Sequence, residues 1–253
     1  MAVIAVTGKG GTGKTVISAL LIDHFSTDRK VLAVDADPDS NLPEAVGIKD
    51  YSTLGEIREL FQQNRDSMGT ISKEQWLEGK IYGEAVNESK HFDLIVMGKP
   101  EGEGCYCFVN NLLRSVLRKL MKNYDVVVVD CEAGLEQFSR KTVENADYIL
   151  IVTDTSKKGL ATAKRIIDST EELKLNFKNI YLVGNKVNSN GEGNAIKQFA
   201  EKEGIIFLGN IPYSEKILEL DFRGEPITKL LEDTELNNHF REIFKGIGGI
   251  NDH

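Results

Sequence analysis

Two stretches of the chain combine residue types and spacing that can do chemistry. The first is GKGGTGKT, Gly8 to Thr15, which satisfies the pattern G-x-x-x-x-G-K-[ST]. Gly8, Gly10, Gly11 and Gly13 let backbone N–H groups close around an anion, and a helix starting behind them adds its positive end. In that arrangement Lys14 reaches the β- and γ-phosphates of a nucleoside triphosphate and the Thr15 hydroxyl ligates Mg2+, with Thr12 and Val16 completing the nucleotide-binding stretch. The second is GCYC, where Cys105 and Cys107 stand two apart in a glycine-rich segment. In an extended backbone such residues face the same side, so both sulfurs can meet one thiophilic ion.

Two thiolates are half of a tetrahedral site. The third cysteine, Cys131, stands alone, and the four histidines are scattered. A second copy of the chain supplies the missing pair, since two C-x-C segments across a twofold axis give four thiolates, and the twofold homodimer is the commonest assembly. Free cysteines also serve as small apolar filler, but two within three residues of a glycine-rich loop favour the ligand. A disulfide between them would close a strained, reducible ring.

The nucleotide base can be argued from GNKVN, 184–188. It begins like the guanine-reading N-K-x-D, with Asn185 and Lys186 in place, but Asn188 occupies the acid's position. A carboxylate accepts both adjacent N–H donors of guanine, whereas an amide has one acceptor oxygen, so adenine is favoured.

The elements that must position these residues are legible as short β-branched runs: AVIAV (2–6), KVLAV (30–34), FDLIVMG (92–98), YDVVVVD (124–130), DYILIV (147–152), NIYLVGN (179–185) and IIFLGN (205–210). Nearly continuous apolar runs suit strands covered on both faces. Between them lie helical patterns. Over 108–122, Leu112, Leu113, Val116, Leu117 and Leu120 recur at spacings of three and four. Thr53 with Glu56 reads as a capping box that opens another helix. Residues 234–247 form an amphipathic pattern of mixed charge, read as a helix packed on the domain, because a membrane-seeking face is basic. Alternating strands and helices imply an α/β fold, a mostly parallel central sheet flanked by helices on both faces, with ligands at the carboxyl ends of the strands. The expected organisation is one domain over 1–253 with a fraying tail from about 247.

The 253 residues carry a formal net charge of -8, which argues against a phosphate-backbone-binding surface and hence against nucleic acid as partner. No apolar run approaches the ~20 residues that span a bilayer, so no membrane partner is expected. No leader opens the chain, and three cysteines, an odd number, fit a reducing, cytoplasmic location.

Lys9, directly after the first glycine, makes GKGGTGK resemble the deviant Walker A loop of the family that includes the nitrogenase iron protein and the chromosome-partitioning and division-site ATPases. The resemblance implies that Lys9 crosses a dimer interface to the partner's nucleotide, that Asp37 orients the attacking water, and that Asp130 holds Mg2+ through water, with Asp35 supporting the metal shell. It also implies that Asn185 contacts the adenine and that Ile211, Pro212 and Tyr213 wall it. Asp39 is read as a turn residue. The stretch MGKPEGEGCYCFVNNLLR, joined to this loop and to DCEAGLE, resembles the CooC family over essentially the whole chain. That likeness implies an ATP-hydrolysing homodimer that binds Ni2+, or Zn2+, through Cys105 and Cys107 and serves carbon monoxide dehydrogenase or acetyl-CoA synthase. Gln137 stands where many relatives have a histidine. Two alternatives stay open: an iron–sulfur electron-transfer ATPase like the nitrogenase iron protein, and a partitioning or division-site ATPase.

Overall fold

The computed structural model describes residues 1–64, 71–98, 107–133, 146–172 and 177–247, with the backbone alone for 107–110. Eight strands form one sheet: β1 (Ala2–Gly8), β2 (Val31–Asp35), β3 (Asn87–Glu88), β4 (Phe92–Val96), β5 (Val126–Asp130), β6 (Tyr148–Thr153), β7 (Asn179–Val187) and β8 (Ile206–Pro212). Their order is β3-β4-β2-β5-β1-β6-β7-β8, and every neighbouring pair is parallel except β3 with β4.

The seven apolar runs of the sequence are the seven parallel strands. The eighth, β3, has two residues and no apolar run to announce it. The valines of β5 show why the runs are continuous: Val126 and Val128 pack into one core with α1 (Lys14–Ser26), while Val127 and Val129 pack into the other with α5 (Cys107–Met121). Burying a side chain of this size contributes about 1.5–3 kcal/mol relative to exposure, so neither face tolerates a polar residue until the strand ends.

The remaining described α-helices are α2 (Leu42–Val46), α3 (Leu54–Asn64), α4 (Lys73–Lys80), α6 (Lys157–Glu172), α7 (Asn190–Glu203), α8 (Glu215–Arg223) and α9 (Thr234–Lys245), with a π-helix at Ile81–Ala85 and a 3-10 helix at Ile227–Glu232. The expected capping box opens α3: Thr53 N–H donates to Glu56 Oε2 at 2.7 Å, and Glu56 N–H donates to Thr53 Oγ1 at 3.1 Å. The amphipathic 234–247 pattern is spent internally, with Phe240, Ile243 and Phe244 of α9 buried in the core. Ile247, expected to begin a tail, is fully buried in that core; 248–253 lie outside the described residues. No described helix is long and apolar enough to cross a membrane.

Because the strands are parallel, their carboxyl ends share one rim. Gly8, Asp35, Val96, Asp130 and Thr153 all stand on it, and Asp35 pairs in register with both Val96 and Asp130. The sheet thereby gathers residues spread over more than a hundred positions of sequence.

Candidate nucleotide and metal site

The loop between β1 and α1 turns sharply at two glycines. Gly8 has φ 153° and Gly13 φ 90°, and a Cβ would drive Gly8 into the Val152 carbonyl and Gly13 into the Asn185 amide. Within the loop the Lys9 carbonyl accepts the Thr12 N–H at 3.3 Å and the Thr12 hydroxyl at 2.8 Å, and lies 3.5 Å from Lys14 Nζ. Lys14 is buried, so its ammonium is held at the loop rather than in solvent.

Behind the loop, the Thr15 hydroxyl donates to Asp130 Oδ2 at 2.7 Å and the Ser18 hydroxyl to Oδ1 at 2.8 Å. Thr15 and Asp130, both expected at Mg2+, are thus brought into contact. Burial pushes the Asp130 carboxyl up to about 6, against the two hydroxyl bonds and Lys14, which lower it. Asp35, beside it, is pushed up to about 7 by burial and then by the charge of Asp130. Its oxygens are already engaged: Oδ1 accepts the Asp37 N–H at 3.0 Å and Oδ2 the Leu42 N–H at 2.9 Å. Asp35 therefore anchors the start of α2 and the loop carrying Asp37, a role that the expected metal-shell position left out. Mg2+ fits this donor set, since the oxygens are hard, Thr15 and Asp130 already meet, and a cation relieves the burial penalty on two adjacent carboxylates. Asp37 is half-buried on the same rim, its Oδ1 accepting the Asp39 N–H at 3.0 Å in a tight turn.

Lys9 is not free. Its ammonium stands 3.5 Å from Asp154 Oδ2 of the same chain, with side-chain exposures of 34% and 25%. Burial raises the Asp154 carboxyl, but the Ser156 hydroxyl and N–H and the Lys9 ammonium outweigh it and hold the group below its ordinary range.

Beside the loop opens a cleft of about 300 Å3, large enough for a base. It is lined by Pro212 and Tyr213 with Ile217 and Leu218 of α8, by Asn41 with Glu44 and Ala45 of α2, and by the phosphate loop with Asn185 and Lys186. Of the three residues expected to wall the base, Ile211 does not: it is 1% exposed and packs into the core beneath α1, because alternation along β8 turns it away from its neighbour Pro212. Asn185 and Lys186 face the loop: Asn185 Nδ2 donates to Thr12 O at 2.8 Å and Lys186 Nζ to Gly11 O at 2.9 Å.

Cys107 is the first residue of α5, so it stands in a helix and the extended-strand alternation does not govern it; Cys105 and Gln137 lie outside the described residues. As the crossover from β4 to β5, α5 starts on the rim that carries Asp35 and Asp130. Cys131 is fully buried, its Sγ donates to Val129 O at 3.7 Å, and burial pushes the thiol strongly up. Among the described residues no group of three His, Cys, Asp or Glu side chains could hold a metal ion.

Sequence reasoning missed Ser18, Asp154 and the walls from α2 and α8. Ser18 was findable, since it lies four residues after Lys14 on one helical face, and Asp154 directly follows the last residue of β6. The walls carry no local signal.

Residues 3–227 match the CobQ/CobB/MinD/ParA nucleotide binding domain. Over 249 residues the chain is 45% identical to an uncharacterized ATP-binding protein of Methanocaldococcus jannaschii, covering 97% of this chain and 98% of the relative. It is 33% identical over 235 residues to the carbon monoxide dehydrogenase accessory protein CooC of Rhodospirillum rubrum, 87% of each. The fold is similar to that of MinD in the MinC:MinD complex of Aquifex aeolicus, with TM-score 0.72 at 21% identity over 98% of this chain and 96% of that one. With the phosphate loop, the Thr15–Asp130 contact and the adjoining cleft all in place, the chain belongs to the CobQ/CobB/MinD/ParA family of P-loop ATPases.

Proposed function

We propose that the chain is an ATP-hydrolysing metallochaperone, a homodimer that binds nickel, or zinc in its place, through Cys105 and Cys107 of both copies and assists nickel insertion into carbon monoxide dehydrogenase or acetyl-CoA synthase. The observation that carries this reading is the occurrence in one chain of the Lys9-bearing phosphate loop and the C-x-C pair, joined to the 33% identity with the carbon monoxide dehydrogenase accessory protein.

In this reading the loop N–H groups and Lys14 hold the phosphates while Thr15 and Asp130 hold Mg2+. When bound, the ion neutralises charge on the phosphate oxygens. Asp37 holds the attacking water, and Lys9 of the second copy adds positive charge where phosphoryl transfer builds up negative charge. Nucleotide state biases how the two copies meet, and the paired cysteines tighten or loosen with it. Such coupling requires different metal affinities in the two states, and by reciprocity the metal changes ATP affinity.

Two features weigh against the alternatives. An iron–sulfur centre needs sulfurs at the rim, and Cys131 is fully buried in the core with its Sγ turned to Val129 O. A membrane-seeking C-terminal helix needs an apolar face to offer, and that of α9 is already packed on the core.

The test is native mass spectrometry with metal analysis on the unaltered protein and on Cys105→Ala. The expected result is a dimer with one nickel, lost in the variant. A tightly metallated monomer, or a nickel affinity that does not respond to nucleotide, refutes the reading.

A further inference from the structure

The outer face of α8 is apolar on the side turned away from the core. Leu220 is buried and Ile217 half-buried on the inner side, yet Leu218 and Phe222, one turn apart, are 52% and 92% exposed, and Tyr213, just before the helix, is 46% exposed. We infer that this face is a docking surface for a protein partner, which presents to it an amphipathic helix whose apolar stripe is edged with lysine or arginine.

The three exposed side chains form one stripe. Ser214 is the N-cap of α8, so Tyr213 stands just before the cap and Leu218 is the fourth helical residue, the two positions that pack together at a helix start. Both line the cleft beside the phosphate loop. Leu218 and Phe222 are four apart and follow each other on one helical face. The stripe therefore begins at the cleft and runs out of it along the helix to Phe222. A phenylalanine so exposed, continuous with two further apolar side chains, marks a surface that something covers.

Charge selects what covers it. At 3.6 residues per turn, Glu215 stands about 40° from the centre of the Leu218–Phe222 line on one side and Asp221 about 80° on the other, while Lys216 and Arg223 are turned roughly 120° or more away. Arg223 is paired with Glu219 of its own helix, whereas Glu215 and Asp221 have no ion pair among the described residues. Glu44 of α2 adds another acid at the cleft end, its Oε1 lying beside Gly224. An apolar stripe edged by acids attracts cations carried on apolar stems and repels anions. A second copy does not fill it with its own stripe, because a twofold contact would set these acids against their like. An anionic bilayer is repelled for the same reason, surface-seeking helices being basic. A basic amphipathic helix meets both demands: its apolar ridge covers Leu218 and Phe222, and its bases face Glu215 and Asp221.

The inference is independent of the metal reading, since docking is measured on the full chain without nickel or nucleotide. The probe is a fluorescein-labelled amphipathic helix of leucine and lysine, followed by anisotropy, with a leucine–glutamate helix as its control. Phe222→Ser removes the most exposed ring and Glu215→Lys reverses the nearest acid; both side chains are exposed, so each variant should keep the thermal melt of the unaltered protein. Glu201→Lys, exposed on α7, makes the same change of net charge elsewhere. The leucine–lysine helix should bind and its control should not. Phe222→Ser should weaken binding by about ten- to a hundredfold, the value of covering a phenylalanine, and Glu215→Lys by about fivefold, while Glu201→Lys leaves it unchanged. A leucine–lysine helix that fails to bind, binding that ignores Phe222→Ser, or equal losses in Glu201→Lys and Glu215→Lys overturn the inference. Two other occupants are tested alongside. If Phe222→Ser breaks up the dimer seen by sedimentation with a non-hydrolysable ATP analogue, or abolishes binding of the unaltered protein to phosphatidylglycerol vesicles, the face belongs to a second copy or to lipid, and the inference fails.

Discussion

The ion pair between Lys9 and Asp154 turns the proposed dimer into a quantitative prediction. If Lys9 must reach the nucleotide of a second copy, its cis pair with Asp154 opposes assembly, and removing that acid should strengthen the dimer. The variant is Asp154→Asn, because an asparagine oxygen can still accept the Ser156 N–H that Asp154 Oδ1 takes at 3.1 Å at the start of α6, whereas alanine would also lose that turn. The groups are 3.5 Å apart and about a quarter to a third exposed. Solvent screening at such a site brings the pair to about 0.5–1 kcal/mol. One pair is released per protomer, so the bias is about 1–2 kcal/mol per dimer, about five- to thirtyfold in the dimer dissociation constant. Sedimentation equilibrium with a non-hydrolysable ATP analogue reads this directly. The gain should shrink toward nothing near 1 M salt, where the Debye length is about 3 Å. A dimer that is unchanged or weakened at low salt refutes the reasoning, since it would mean that Asp154 serves the assembled state.

Two further outcomes follow from the cleft and from the base of α1. Tyr213→Ala should raise the KM for ATP by about fivefold, an aromatic–base stack being worth ~1 kcal/mol or more, while tripolyphosphate inhibition stays constant; equal losses for both ligands would remove Tyr213 from the base wall. His24 lies against the rings of Phe25 and Phe244, centroids 5.0 and 5.6 Å away, and burial, then the Arg241 charge, lowers its pKa from the ordinary 6.5, with Asp28 opposing and Lys245 assisting. The folded state thus refuses a proton that the unfolded chain accepts, so this contribution is fully present above about pH 6.5 and is lost as pH falls below it. Asp23 beside it has the opposite sign: burial raises its carboxyl, so its contribution to the fold is fully present below about pH 3.8 and is lost as pH rises through the raised value. A plot of Tm against pH should therefore drop as pH falls below about 6.5 and flatten in His24→Leu; an identical drop in the variant would assign the effect elsewhere.

The sheet was legible because each central strand must be apolar on both faces, and a run such as VVVVD at 126–130 can only be such a strand ending in an acid. The loop was legible for a related reason, since its glycines and Lys14 act through backbone conformation and one charge, both local. What stayed hidden is made by tertiary placement. The Lys9–Asp154 pair spans 145 positions and needs β1 and β6 side by side. Part of the cleft lining comes from α2, a helix of five residues too short to show a period. Ile211 was placed in the wrong layer because the motif fixed the segment but not its phase, and a shift of one residue along a strand exchanges cleft for core.

Asp35 ties these hidden parts together. One carboxylate accepts the N–H of Asp37, the residue proposed to hold water, and the N–H of Leu42, which starts the helix that lines the cleft. It also sits in register beside Asp130, whose charge helps push it up to about 7. A cation placed at Asp130 and Thr15 lowers that cost, favours the ionised form of Asp35, and so strengthens both backbone bonds it accepts, because a charged acceptor binds N–H more tightly than a neutral one. In the proposed reading the Mg2+ end of the site therefore acts on the start of α2 through a single buried acid. In that reading Asp35 serves the metal by holding the surrounding backbone, each of its oxygens accepting one N–H.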